Sequence, residues 1–161
     1  MAREQQQEFL RLLNEHQGMI RKVCNVYASR PADREDLFQE IIVQLWKAYP
    51  SFKGNSKFST WLYRISLNLA ISGRRKQRKE LLVSDFAMER VDEVESVLDE
   101  QIKQLYNALE QVNEVEKALV LLYLEDKSYA EMEEILGLSQ NALRVKMNRV
   151  KGKLRKIIKP E

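Results

Sequence analysis

The sequence contains few of the residues that build metal sites, disulfides and tight turns. Its 161 residues include one cysteine, one histidine, three prolines and five glycines. A single cysteine excludes an internal disulfide and a thiolate zinc cluster, and a single histidine argues against histidine-based metal chemistry. We therefore expect no metal site and no cofactor. Cys24 is expected to pack in the core rather than to react.

Long apolar runs are also missing. No segment approaches the roughly 20 consecutive apolar residues that cross a bilayer, and residues 1–7 lack the apolar core of a signal peptide. The chain is also too short for a (β/α)₈ barrel, which needs roughly 250 residues. The hydrophobic fraction of 44% is enough for a packed core, and the abundance of Leu, Glu, Lys, Gln and Arg favours helices. We expect an all-α, cytoplasmic protein without membrane insertion.

Charge is distributed unevenly along the chain. Residues 1–79 carry 15 basic and 7 acidic residues, residues 80–101 carry 1 and 8, and residues 102–161 carry 11 and 9. Basic segments of this kind either bind nucleic acid or are solvated helix faces, and charge alone does not decide between them. The acidic stretch lacks a clean apolar period in its first half. We therefore predict two domains, residues 1–79 and 97–161, joined by a flexible acidic linker over residues 80–96.

Apolar residues at three- and four-residue spacing predict the helices of the first domain. One or two helices precede Pro31, with Gly18 as a candidate interruption. The next helix is predicted to be capped by Asp33 and to stop before Pro50. A long helix then begins near Phe58, and its polar side is predicted to carry Thr60, Arg64 and Asn68.

Two surfaces of this domain carry chemical information. On the second helix, the side opposite the apolar face presents Asp36, Gln39, Glu40 and Val43. This strip either suits a partner helix or is a solvated face. Farther along, the loop of residues 52–57 and the helix bearing Trp61 and Arg64 combine aromatic and cationic groups, which suit unpaired bases and their phosphates. Trp61 also fits the apolar face, so Phe52 is the better candidate for contacting a base.

The second domain contains a helix-turn-helix pattern. After the linker, residues 97–112 predict one helix face that includes Ile102, and Asn113 can cap the helix that follows. Ser128 and Glu131 then form a capping box, and Gly137 is a natural helix stop. The final helix starts at Ser139. Its apolar seam, spaced four, three, four and three residues apart, consists of Leu143, Met147, Val150, Leu154 and Ile157.

The chemistry of the final helix suits the major groove of DNA. Residues 140–160 hold eight basic residues and no acidic one. Short polar groups stand at the amino end of the helix, at Ser139, Gln140 and Asn141, where they can meet base edges, while cations along the sides can meet phosphates. An ordinary helical hairpin with a basic surface is the alternative.

Three ordered segments together resemble a known family. Residues 33–46, residues 58–68 and the helix-turn-helix look like those of bacterial RNA polymerase sigma factors, in the extracytoplasmic function (ECF) group of the sigma-70 family. The resemblance covers nearly the whole chain. It implies two small helical domains on a tether: a region 2 helical bundle and a region 4 helix-turn-helix. It also implies that the protein is not itself an enzyme, because the polymerase supplies the catalysis.

The resemblance also implies roles for individual residues. Those that fall where the family docks on the clamp helices of the polymerase β′ subunit are Asp36, Gln39, Glu40 and Val43. Those that fall on the surface for the opened −10 promoter element are Phe52, Lys53, Gly54, Asn55, Ser56, Lys57, Trp61, Arg64, Asn68, Arg74, Arg75 and Arg78. Those on the helix-turn-helix surface for the duplex −35 element are Ser139, Gln140, Asn141, Arg144, Val145, Lys146, Asn148 and Arg149, with Lys146 expected on a phosphate. The implied partners are core RNA polymerase, including the tip of its β flap, promoter DNA and, as for many family members, an anti-sigma factor.

Some positions depart from the family pattern, and other functions remain open. Ser72 stands where an Asp is frequent, and Glu133 stands where a small residue is usual in the first helix of the helix-turn-helix. The Glu133 carboxylate must therefore tilt out of the helix pair or meet a cation. One alternative function is a free-standing helix-turn-helix regulator that binds duplex DNA without polymerase. A nucleic-acid-modifying enzyme is a second alternative, but His16 and Cys24 share one helix and offer no metal-ligand set.

Overall fold

The computed structural model describes residues 2–72 and 100–158, and all regular structure within these two ranges is helical. The elements in chain order are α1 (Arg3–Tyr27), α2 (Pro31–Ala48), a 3₁₀ turn (Tyr49–Ser51), α3 (Phe58–Ser72), α4 (Glu100–Leu109), α5 (Glu114–Leu124), α6 (Tyr129–Leu136) and α7 (Gln140–Ile158). The all-α prediction is confirmed. The whole of the predicted acidic linker, residues 73–79 of the first basic segment, and Val97 and Leu98 lie outside the described residues.

Helices α1, α2 and α3 pack against one another and bury the apolar faces predicted from the sequence. Phe9, Leu13 and Ile20 on α1 are fully buried, as are Leu37 and Ile41 on α2. Helix α1 is continuous through Gly18, where an added Cβ would meet no atom within 4 Å. The candidate interruption is therefore absent, because the apolar period of α1 is satisfied on both sides of the glycine.

The start of α2 differs from the prediction. Pro31 occupies the first turn and Arg30 is the N-cap residue, with an extended backbone and no side-chain cap. Proline is well suited to the first helical position, since its fixed φ matches the helix and its missing N–H would have no intrahelical acceptor there. Asp33 is thus not the cap. It lies in the first turn, where the helix dipole stabilises its negative charge, and its carboxylate lies 3.7 Å from the Arg30 guanidinium.

The capping signals of the second half are confirmed. In the capping box that opens α5, the Asn113 backbone N–H donates to Glu116 Oε1 at 3.0 Å, and the Glu116 backbone N–H donates to Asn113 Oδ1 at 2.8 Å. Ser128 and Glu131 exchange the equivalent bonds at the start of α6. Helix α6 ends at Gly137, whose φ of +73° is accessible to glycine without the steric cost of a Cβ.

Two expectations about burial are corrected. Ile102, placed on the apolar face of α4, is 40% exposed, while Ala108 and Leu109 at the other end of that helix are buried. Thr60, expected on the polar side of α3, is only 2% exposed. The sequence pattern assigned α3 a solvated flank, but a second layer of helices covers part of it, because α3 packs against both α5 and α6.

Candidate nucleic-acid and polymerase-binding surfaces

Helix α7 divides its residues between a buried seam and an open surface. Leu143, Met147 and Val150 are buried against the other helices of the second half. Among the residues predicted to contact the −35 element, the exposed ones are Ser139, Asn141, Arg144, Val145, Asn148 and Arg149, and the partly exposed ones are Gln140 and Lys146. Val145 is 49% exposed and adds an apolar group to this surface. The helix therefore offers polar, cationic and apolar groups on one accessible surface.

The turn between α6 and α7 is fixed by short-range contacts. Ser139 Oγ accepts a hydrogen bond from the Ala142 N–H at 3.2 Å, which satisfies one donor at the start of α7. The Glu133 side chain is exposed, and its Oε1 accepts a hydrogen bond from Gln140 Nε2 at 3.2 Å. The carboxylate thus tilts out of the helix pair, and its partner is an amide rather than a cation. It links the two helices of the motif across the turn.

An ion pair between an exposed lysine of α7 and a buried carboxylate of α5 links the two helices. Lys153 Nζ donates to Glu116 Oε2 at 2.8 Å, and the Glu116 side chain is 8% exposed. Burial alone would disfavour the charged carboxylate. The hydrogen bonds from Lys153 and the Asn113 backbone, with the charges of Lys153 and Lys146, outweigh burial and lower the pKa of Glu116. One acidic side chain therefore caps α5 and fixes the position of α7.

Cation–π contacts order two basic side chains at the edges of α7. The Arg144 guanidinium carbon lies 5.1 Å from the centre of the Tyr129 ring, and Lys151 Nζ lies 4.3 Å from that of Tyr123. Each ring attracts the cation without neutralising it. The positive charge of α7 is therefore retained at its surface.

The loop of residues 52–57 is attached to the first half through aromatic rings. The Phe52 ring centre lies 4.9 Å from that of Trp61, 5.8 Å from that of Phe58 and 6.2 Å from that of Tyr49. Gly54 has a φ of +75°, a left-handed conformation that favours glycine. Lys53, Asn55 and Lys57 are exposed, and Ser56 is half-buried. The loop thus displays polar and basic groups above a cluster of aromatic rings.

The −10 residues on α3 fall into different environments. Trp61 is 8% exposed within the aromatic cluster, which agrees with its expected fit to the apolar face. Asn68 is exposed on the same helix, and Arg64 is half-buried. Arg74, Arg75 and Arg78 lie outside the described residues. Among the described residues, the accessible members of the predicted −10 surface are therefore the loop, Arg64 and Asn68.

The strip on α2 is less open than its polarity indicates. Asp36, Gln39 and Glu40 are half-buried, and Val43 is only 6% exposed. Because these residues are spaced three, four and seven positions after Asp36 in one helix, they lie on one face of α2, as the sequence predicted. Their partial burial is a feature that the sequence pattern does not contain.

Residues outside the predicted binding surfaces connect the two halves of the chain. Tyr63 Oη donates to Glu125 Oε1 at 2.8 Å, and Tyr27 Oη donates to the Glu114 carbonyl at 2.6 Å. Burial raises the pKa of both tyrosines, and the neighbouring carboxylate raises each further. Both hydroxyls therefore remain protonated donors. A polar atom on an otherwise apolar helix face was the available signal, but it does not identify its partner.

His16 and Cys24 both pack within the first half of the chain. His16 Nδ1 lies 2.8 Å from the Leu12 carbonyl oxygen and its ring packs on Phe58, while Cys24 is fully buried. Across residues 2–72 and 100–158, no group of three or more His, Cys, Asp and Glu side chains is arranged to hold a metal ion. No helix in those ranges combines the length and the apolar character needed to cross a membrane.

Comparison with known proteins matches both halves to one family. Residues 12–80 match the model of sigma-70 region 2, and residues 102–154 match that of sigma-70 region 4. The ECF RNA polymerase sigma factor SigW of Bacillus subtilis is 26% identical over 94% of this chain and 89% of its own. The ECF RNA polymerase sigma-E factor of Haemophilus influenzae is 27% identical over 92% of this chain and 86% of its own.

Solved structures share the fold. The sigma factor RpoE, in complex with the anti-sigma factor NepR from Bartonella quintana, superposes with a TM-score of 0.74 at 20% identity, covering 96% of this chain and 98% of that one. CnrH, in complex with the cytosolic domain of CnrY, gives 0.69 at 19% identity over 95% and 88%.

Two linked helical domains with a region 2 and a region 4 define an RNA polymerase sigma factor, a class of transcription initiation factors. The chain belongs to the sigma-70 family, in its ECF group, and directs transcription by RNA polymerase. The interpretation as a free-standing helix-turn-helix regulator is not favoured.

Proposed function

We propose that the protein is a dissociable promoter-specificity subunit that binds core RNA polymerase through α2, reads the −35 element as duplex through α7 and captures the opened −10 element with α3 and the loop of residues 52–57. Residues 1–79 form the polymerase and −10 domain, residues 80–96 the linker and residues 97–161 the −35 domain. The polymerase performs catalysis, and this chain chooses the promoter and assists strand separation.

The observation that carries the proposal is the exposed surface of α7. Asn148 lies four residues after Arg144, Arg149 directly follows Asn148, and all three side chains are exposed. Arginine pairs with guanine and asparagine with adenine in the major groove. The apolar Val145 suits the methyl group of thymine, and Lys146 suits a phosphate. The buried seam and the Glu116–Lys153 ion pair hold this surface in a fixed orientation.

The loop and α3 support capture of a single strand. Phe52 rests against Trp61 rather than pointing into open solvent. A nucleobase that entered the loop would therefore meet aromatic rings beneath the polar residues. Extruding a base from the stack costs a few kcal/mol, which a complementary pocket can offset. Arg64 and Asn68 lie farther along α3, about two and three helical turns beyond the loop, and would contact the base or the backbone of the strand. Arg74, Arg75 and Arg78 extend the proposed basic surface.

The strip on α2 supports docking on a basic partner helix. Asp36 and Glu40 are four residues apart and therefore lie on one side of α2, with Val43 one turn farther on. Acidic groups around a small apolar contact suit the β′ clamp helices that the family uses. Region 4 would contact the β flap. An anti-sigma factor is a further proposed partner, since the structural neighbours RpoE and CnrH are in complex with NepR and CnrY.

Co-elution with sigma-free core polymerase on a sizing column tests the proposal. The expected result is a stable complex that carries this chain and binds promoter-containing DNA. A protein that does not join the polymerase, yet binds duplex DNA alone, would overturn the proposal in favour of a free-standing regulator.

A further inference from the structure

Two side chains of α6 each contact a side chain at the start of α7. Tyr129 and Glu133 are four residues apart, so they lie on one side of α6. Gln140 and Arg144 are likewise four residues apart, on one side of α7. The Arg144 guanidinium carbon lies 5.1 Å from the centre of the Tyr129 ring. Gln140 Nε2 donates to Glu133 Oε1 at 3.2 Å. We call Tyr129 and Glu133 the support face of α6.

The Tyr129 ring is a fixed platform. Tyr129 is the first residue of α6 and directly follows the cap residue Ser128, whose Oγ accepts a hydrogen bond from the Glu131 N–H at 3.1 Å. The ring is half-buried and packs against the hydrophobic core, whereas Arg144 is exposed. A guanidinium within about 6 Å of a ring centre is attracted to the ring. The platform therefore restricts a side chain that is otherwise free to move in solvent.

Arg144 is held from a second direction and keeps most of its donors. Its Nη1 donates to Asn141 Oδ1 at 3.4 Å. A guanidinium has five N–H donors, and this contact uses one of them. The remaining donors are sufficient for the paired contact of arginine with O6 and N7 of guanine. The contacts with Tyr129 and Asn141 thus order Arg144 without occupying its whole hydrogen-bonding edge.

Gln140 is held in a comparable way by Glu133. A glutamine amide has two N–H donors and one carbonyl acceptor, and the bond to Glu133 uses one donor. The other N–H and the carbonyl remain available for N7 and N6 of adenine. Glu133 stands where the family resemblance leads us to expect a small residue, and a small side chain could not reach Gln140. This contact is therefore a feature of this chain rather than of the family pattern.

We propose that the support face of α6 determines the base preference of α7 at the −35 element. Tyr129 and Glu133 are positioning residues that act through Arg144 and Gln140 and do not contact bases themselves. The inference rests on the proposed function of α7. Ordering a flexible side chain at an interface costs free energy, and a side chain that is already held loses less freedom on binding. The fixed orientation favours the matching base pair over the others, because only that pair meets the aligned donors and acceptors.

Tyr129→Leu and Tyr129→Phe test the first positioning residue. Leucine removes the ring, whereas phenylalanine keeps the ring and removes only the hydroxyl. The matched control is Tyr123→Leu, which removes the ring 4.3 Å from Lys151 Nζ, beyond the proposed −35 residues of α7. We define discrimination as the ratio of the Kd for a duplex with one altered base pair to the Kd for the preferred duplex. Tyr129→Leu should reduce discrimination about threefold at the base pair read by Arg144. Tyr129→Phe and Tyr123→Leu should leave it unchanged.

Glu133→Ala and Glu133→Gln test the second positioning residue. Alanine removes the acceptor, whereas glutamine keeps an oxygen that can accept from Gln140 and removes the charge. Glu134→Ala makes the same change of charge on an exposed neighbour. Since loss of a carboxylate beside DNA raises the affinity for every duplex, the ratio is the readout. Glu133→Ala should reduce discrimination about threefold at the base pair read by Gln140, and the other two variants should not.

The measurement uses holoenzyme assembled from the full chain and core polymerase. Selection from a randomised duplex library defines the preferred −35 sequence, and fluorescence anisotropy gives the Kd for duplexes altered one base pair at a time. Arg144→Ala and Gln140→Ala identify the base pair that each side chain reads. In the Arg144→Ala background, Tyr129→Leu should cause no further loss of discrimination. A merely structural role of Tyr129 would instead weaken binding in both backgrounds.

The outcomes distinguish this inference from the proposed function. Unchanged discrimination for Tyr129→Leu and Glu133→Ala overturns the inference, and so does an Arg144→Ala variant that loses discrimination at no base pair. An equal loss on every duplex for Tyr129→Leu and Tyr129→Phe makes Tyr129 a phosphate contact and also overturns its positioning role. Glu133 is exposed, so its variants decide the matter if Tyr129→Leu does not fold. A wild-type protein that forms no holoenzyme rejects the proposed function itself.

Discussion

Lys153 on α7 donates a 2.8 Å hydrogen bond to the buried carboxylate of Glu116, and the same carboxylate closes the capping box at the start of α5. The position of α7, the helix proposed to read DNA, is thereby linked to a side chain on α5, in addition to its buried seam. Substitution of Glu116 should consequently affect both folding and the orientation of α7.

Glu116→Gln should lower the free energy of unfolding by about 1 kcal/mol at neutral pH, because the amide can still accept a hydrogen bond but loses the charge interaction with Lys153. The folded state lowers the pKa of Glu116 from its ordinary value of 4.5. The stabilisation is therefore fully present above pH 4.5 and is lost as the pH falls through the lower folded-state value. Urea unfolding at several pH values measures this. Glu110→Gln, an exposed neighbour, is the control, and a Glu116→Gln deficit that did not shrink below pH 4.5 would contradict the account.

Gly137→Ala should destabilise the protein by about 1 kcal/mol, because its φ of +73° is costly for a residue with a Cβ. Gly152→Ala makes the same chemical change within α7, where an added Cβ meets no atom within 4 Å. It should raise the free energy of unfolding by about 0.5 kcal/mol, since alanine favours helix over glycine. Thermal unfolding of both variants gives the signs, and equal signs would refute the assigned role of Gly137 in the turn.

Arg149→Ala should weaken binding to the preferred −35 duplex by about 1–3 kcal/mol at one base pair if the side chain reads a base. The exposed position of Arg149 on α7 allows this contact. Lys156→Ala, near the end of the same helix, should instead weaken binding equally on every sequence, as expected of a phosphate contact. Holoenzyme binding to duplexes altered one base pair at a time measures both, and a uniform loss for Arg149→Ala would assign it to a phosphate.

Asp36→Lys should abolish assembly with core polymerase while the helix content measured by circular dichroism stays unchanged. The substitution reverses the charge at the first residue of the proposed docking strip, and like charges across an interface cost several kcal/mol. Glu15→Lys, on the exposed side of α1 beside Arg11, provides the matched charge reversal. Normal co-elution of Asp36→Lys with polymerase would exclude the strip as the docking surface.

Local features of the fold could be predicted from the sequence because local energies decide them. Asn113, Ser128 and Gly137 act within one helical turn, and each has the predicted role. The prediction that Asp33 caps α2 was wrong. Both Pro31 and Asp33 suit the first turn of a helix, and the helix begins at the proline, so that Arg30 is the N-cap residue. The sequence also indicated the seam of α7, whose period reflects burial of one face.

The relation between the two halves could not be predicted, for a physical reason. The Tyr63–Glu125 and Arg64–Glu134 contacts join residues more than 60 positions apart, and neither pair leaves a periodic trace in the sequence. Thr60 illustrates the consequence: its polarity indicated a solvated flank, but it is only 2% exposed on a helix that packs against α5 and α6 as well as α1 and α2. The assignment of residues to promoter elements follows from the family resemblance and remains a prediction.

The most direct test of the central claim is transcription by core polymerase on genomic DNA of the source organism, with and without this protein, followed by mapping of RNA 5′ ends. The account predicts discrete start sites that appear only with the protein and share two upstream elements at a fixed separation. Start sites unchanged from those of core polymerase alone would contradict it.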